Sequence, residues 1–85
     1  MNTTIKTAVA ATNALLKRRQ VELITGLGRS AIYARMDPYH PSYDKSFPKP
    51  VPLSTSGGKA TCVRWVASEV DSWIAGRVAE RDAKV

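Results

Sequence analysis

Cysteine, histidine and long apolar runs are nearly missing from this sequence of 85 residues, and each shortage closes off a class of protein. The one cysteine, Cys62, cannot form an internal disulfide, which fits a reducing cytoplasm. The one histidine, His40, leaves too few soft ligands for a metal site, so neither metal nor cofactor is expected. A membrane span needs about 20 apolar residues, whereas the run near the start covers only Ala8 to Ala11. That run is also too short for a secretory signal, so a soluble cytoplasmic protein with no membrane partner is expected. Asp37, His40 and Asp44 could be read as an acid–base cluster, but no activated serine, glycine-rich phosphate loop or second histidine accompanies them. No catalytic residue is therefore expected, His40 reads as an exposed loop residue, and Cys62 as half-buried and inert.

Acidic residues are scarce as well. Thirteen Lys and Arg face seven Asp and Glu, giving a net charge of +6 and a pI near 9.9. The excess is uneven: residues 1–67 hold ten basic and three acidic side chains, and residues 68–85 hold three and four. A basic body with a near-neutral C-terminal segment is suited to presenting one face to a polyanion.

What the chain does have is a turn signal between two short apolar-periodic stretches. Arg19 to Thr25 reads as a first helix, with Val21, Ile24 and Leu27 at helical spacing on an inward face. Gly26 ends it, because glycine tolerates the left-handed conformation of a helix stop. Leu27 reads as the plug of the turn and Gly28 as the N-cap of a second helix, about Arg29 to Asp37. Ile32 and Met36 face the core from this helix, and Pro38 ends it. Two short helices around such a turn predict a helix-turn-helix, whose second helix enters a DNA major groove.

Around this pair the remaining elements can be assigned. Residues 1–14 are small and polar and read as an N-terminal arm, frayed or disordered. Leu15 and Leu16 suggest a short strand or packing anchor. All five prolines fall between Asp37 and Pro52, predicting an extended connector tacked down by Tyr39, Tyr43 and Phe47. Val51 to Ser54 and Thr61 to Val66 read as a hairpin around a glycine turn, with Pro52 placing the first strand at an edge. A hairpin after a helix-turn-helix is a wing. Ser68, with Asp71 three residues on, predicts the capped start of a last helix. Val70, Trp73, Ile74, Arg77 and Val78 form its stripe, and Trp65 and Trp73 are expected in the core. The expected fold is α+β, mostly helical: an arm at 1–14, a winged helix-turn-helix with a two-stranded wing and a buttressing C-terminal helix at 15–82, and a tail at 83–85.

Two stretches carry a resemblance. LLKRRQVELITGLGRSAIYARM with FPKPV, followed by RWVASEVDSWIAGRVAERD, resembles the AlpA-type prophage regulators, small winged-helix proteins related to MerR-like and excisionase-like DNA binders. It spans Leu15 to Asp82. The resemblance implies a regulator that binds DNA of a prophage or integrative element, or an accessory factor directing an integrase toward excision. The chain departs from the pattern in a longer connector from Asp37 to Ser46, in Gly28 where a serine cap is common, and in an extended wing tip from Ser54 to Thr61.

The expected contact residues follow from the motif. Arg29 opens the second helix, where a guanidinium can pair with guanine O6 and N7 or hold a phosphate. Ser30 and Tyr33 share its exposed side, and Arg35 lies toward the core flank, nearer a phosphate. Lys17, Arg18 and Arg19 lead into the first helix, which crosses the DNA backbone in this motif. Lys45 and Lys49 flank the connector, Lys59 marks the wing tip and Arg64 the wing strand, all within reach of phosphates or a flanking minor groove. The expected partner is double-stranded DNA, met by several copies on repeated half-sites or by a dimer. A tyrosine-type integrase is a second partner if the chain is an excisionase. A basic protein-interaction adaptor is the alternative from another class.

Overall fold

The computed structural model describes residues 14–84, which form three helices and one small antiparallel sheet. In chain order these are β1 (Leu15–Leu16), α1 (Arg18–Thr25), α2 (Arg29–Met36), β2 (Val51–Ser56), β3 (Lys59–Val66) and α3 (Ala67–Ala83). The architecture is the expected α+β winged helix, and its sheet has the order β1-β3-β2. The wing is thus continuous with a third strand: Leu15 pairs with Val66 and Leu16 with Trp65. Of the expected arm, only Ala14 is described; residues 1–13 lie outside the described residues.

The helical pair is built as its turn residues require. Lys17 is extended, and its N–H donates to Gln20 Oε1 at 2.7 Å, which fixes the start of α1 one residue earlier than expected. At the other end Gly26 has φ +78°, and its N–H donates to Glu22 O at 2.8 Å. Thr25 bridges the stop: its hydroxyl donates to Val21 O and accepts the Leu27 N–H. Val21 and Ile32 are fully buried and tie the two helices to the sheet, with Leu27 and Met36 packed at the edge of the core. Ile24 does not join them. It is 51% exposed and lies one residue from the C-terminal end of this eight-residue helix.

The connector is not extended. It is a series of three turns, closed by His40 N–H to Asp37 O, Tyr43 N–H to His40 O and Phe47 N–H to Asp44 O. Each turn is opened by a side chain that accepts the N–H two residues on: Asp37 from Tyr39, His40 from Ser42, Asp44 from Ser46. The three residues that could suggest acid–base chemistry are turn formers. Of the three expected aromatics, Phe47 anchors the segment in the core, at 3% exposure and followed by buried Pro48; Tyr39 is 95% exposed and Tyr43 lies at the surface.

The hairpin strands run further than expected and leave a two-residue turn, Gly57 and Gly58, both with positive φ. Pro52 lies in the edge strand, where its missing N–H costs no ladder bond, and the register shifts on both sides of Ser54. Past the sheet body both faces of β2 are exposed.

The start of α3 is a correction. Ser68 is no cap: the helix begins at Ala67, with extended Val66 as N-cap and no side-chain cap bond. Strand β3 runs straight into it, and the Ala67 N–H is satisfied from across the sheet by Ala14 O at 2.7 Å. Trp65, Ala67 and Val70 are buried, Trp73 and Ile74 pack against the core, and from Ala75 onward every described residue of α3 is exposed. Val78 therefore falls outside the buttress. Trp65 is the largest core side chain, and its indole N–H has no partner among the described residues.

Candidate nucleic-acid interface

The open side of α2 is formed by Arg29, Ser30 and Tyr33, all exposed, while Ile32 points the other way into the core. Gly28 carries no side-chain acceptor, but its carbonyl receives the Ile32 N–H and starts the helix. Arg29 and Tyr33 are four residues apart and meet on the surface: the Arg29 guanidinium lies over the Tyr33 ring, 5.4 Å from its centroid. Spacing alone carried that signal.

Arg18, on α1, is paired within its own helix. Arg18 Nε donates to Glu22 Oε2 at 2.9 Å, one turn along the helix. The pKa of Arg18 is raised, by the hydrogen bond to Glu22 first, against a lowering by desolvation and with a smaller contribution from Tyr33.

Other candidates are placed differently. Arg35 is half-buried and bends back to donate to Ala31 O at 3.0 Å. Arg64 is likewise engaged, donating to Val63 O at 2.8 Å and to Cys62 Sγ at 3.2 Å. Neither guanidinium extends freely from the surface in this state. Lys17, Arg19, Lys45, Lys49 and Lys59 are all exposed. Lys17 and Arg19 flank the start of α1, Lys45 and Lys49 the connector, and Lys59 the hairpin turn.

Ion pairing is segregated. Among the described residues, Arg18–Glu22 is the one ion pair before α3; the others join Arg77 and Lys84 to Glu80, and Arg81 to Asp82. The cations of α3 are thereby neutralised locally, whereas Lys17, Arg19, Arg29, Lys45, Lys49 and Lys59 have no carboxylate partner among the described residues. Unneutralised cations on a rigid helical pair, together with a projecting hairpin, are the arrangement that takes up a polyanion by releasing its counterions.

Asp44 was missed as more than a loop residue. Its carboxylate accepts the Trp73 indole N–H at 3.0 Å, the Ser46 N–H at 2.9 Å and the Ser46 hydroxyl. Its own N–H donates to Arg35 O at 2.9 Å, at the end of α2. Phe47 stacks edge-on against Trp73 at 4.9 Å. One aspartate thus joins the connector, α3 and the end of α2. The hydrogen bonds from Ser46, and then from Trp73, hold its pKa below the ordinary carboxylic range.

The concavity beside this clamp, about 450 Å³, is lined by Ser46, Pro48, Trp73, Arg77 and Glu80 among others. It gathers no histidine or cysteine, and no cluster of metal-holding side chains occurs among the described residues. None of the described helices is long and apolar enough to cross a membrane.

Comparison with known proteins agrees with this geometry. Residues 14–78 match the family described as Prophage CP4-57 regulatory protein (AlpA). The chain is 36% identical over 53 residues to the DNA-binding transcriptional activator AlpA of Escherichia coli (strain K12), covering 62% of this chain and 69% of that protein. No solved structure matches.

Proposed function

The chain belongs to the AlpA family of prophage regulatory proteins, and from that premise we propose that it is a sequence-specific DNA-binding transcriptional regulator of a prophage or integrative element. Helix α2 lies in the major groove, the start of α1 and the connector lysines hold phosphates, and the hairpin reaches along the adjoining backbone. The observation that carries this reading is the unpaired basic surface centred on Arg29, set on a helix-turn-helix whose inner side is fully packed.

In this reading Arg29 is the base-reading residue, because it opens α2, where a recognition helix meets base edges. Ser30 bonds a phosphate or a base beside it. Lys17, Arg18, Arg19, Lys45, Lys49 and Lys59 are phosphate contacts, and Arg35 and Arg64 join them only on leaving their intramolecular acceptors. One domain offers few base contacts, so copies on repeated half-sites supply the specificity.

Footprinting on DNA around the gene and any neighbouring integrase gene, at near-physiological salt, tests the proposal. A short protected site over a promoter is the expected result. A row of phased sites with bending at an attachment site identifies an excisionase working with an integrase instead. Diffuse protection that vanishes with salt refutes both, and leaves a basic adaptor for an acidic protein. Arg29→Ala should cost about 1–3 kcal/mol and relax preference at one base pair. Unchanged preference removes Arg29 from that role.

A further inference from the structure

The face of the Tyr33 ring carries the Arg29 guanidinium, one turn earlier on α2 and 5.4 Å from the ring centroid. The ring itself is 41% exposed and is not part of the buried core. A surface tyrosine in this position contributes little packing, yet it restricts a long, flexible side chain.

That restriction has a physical consequence. A free arginine gives up side-chain freedom when it docks, and this loss opposes binding. A guanidinium already lying on an aromatic face keeps its plane and direction, and so loses less on contact. We propose that Tyr33 is a positioning residue that holds Arg29 toward a base edge through the face of its ring. The proposal rests on α2 being the groove-reading helix.

The test separates the ring from the hydroxyl. The probe is the duplex that the unaltered chain selects from a random-sequence pool, with single-base-pair variants of it. Tyr33→Phe keeps the ring and should retain base preference. Tyr33→Ala removes the ring as well and should lower discrimination about tenfold, at the same base pair that Arg29→Ala relaxes. The Tyr33→Ala and Arg29→Ala double variant should lose no further base discrimination than Arg29→Ala alone. Thermal melts of each variant check that the fold is kept. Additive losses of discrimination in the double variant would mean that Tyr33 touches DNA on its own account, and would overturn the proposal. So would full base preference in Tyr33→Ala. If the unaltered chain selects no duplex, the regulator reading falls and this proposal with it; if it selects one that Tyr33→Ala reads equally well, only this proposal falls.

Discussion

Replacing Asp44 with asparagine should unfold the domain at a distinctly lower temperature at neutral pH and barely change it in acid. The carboxylate receives three donors, the Trp73 indole N–H and the Ser46 N–H and hydroxyl. Asparagine preserves shape and one oxygen, but it turns an NH₂ group toward a donor and removes the charge. A hydrogen bond to a charged acceptor contributes about 1.5–3 kcal/mol, and the partial exposure of Asp44 puts the loss at the lower end, about 1.5 kcal/mol. In a domain of this size each kcal/mol moves the midpoint by about 4–8 °C, so Tm should fall by about 6–12 °C. The pH dependence follows from the direction of the pKa. The folded carboxyl is held below the ordinary carboxylic range by Ser46 and then Trp73. Its stabilisation is therefore complete above the unfolded pKa and is lost as pH falls through the folded one. Thermal unfolding followed by tryptophan fluorescence, at pH 7 and at about pH 2, should show a gap that closes in acid. Equal midpoints at pH 7, or a gap of the same size at both pH values, would refute the account of Asp44 as a charged clamp.

Two further predictions concern the turn and the exposed face of α1. Gly26→Ala should cost about 1 kcal/mol or more in urea unfolding, because φ +78° strains any β-carbon; Gly28→Ser, at φ −85° with open space around it, should instead gain a few tenths by supplying a cap. Leu23→Ser should leave the midpoint within about 0.5 kcal/mol, since Leu23 is 84% exposed; a larger loss would show that this leucine is covered in the folded state.

The parts legible in the sequence are those governed by short-range chemistry. Gly26 announced a left-handed stop, Pro38 a helix end and Gly57-Gly58 a tight hairpin, because each depends on backbone freedom at one or two positions. Buried Val21, Ile32 and Val70 followed from helical spacing. What escaped depends on partners far along the chain. The start of α3 looked like Ser68 because a serine followed by an acid is a local cap signal. The true start is set by strand β3 and by a carbonyl from Ala14. Five prolines suggested an extended connector, yet side-chain acceptors at Asp37, His40 and Asp44 wound it into turns. At the surface of α2, the Arg29–Tyr33 contact was open to inspection at i,i+4.

The pairing of Leu15–Leu16 with Trp65–Val66 also governs the order of assembly. The strand that precedes the helix-turn-helix cannot find its place until a segment about fifty residues later is available, and closing so long a loop costs entropy that only the finished sheet repays. The helical pair on its own lacks Trp65 and the α3 residues that complete its packing. During synthesis, therefore, α1 and α2 are made before the strand and helix that complete their packing. A nascent chain stalled before β3 would carry both helices and still have no settled surface.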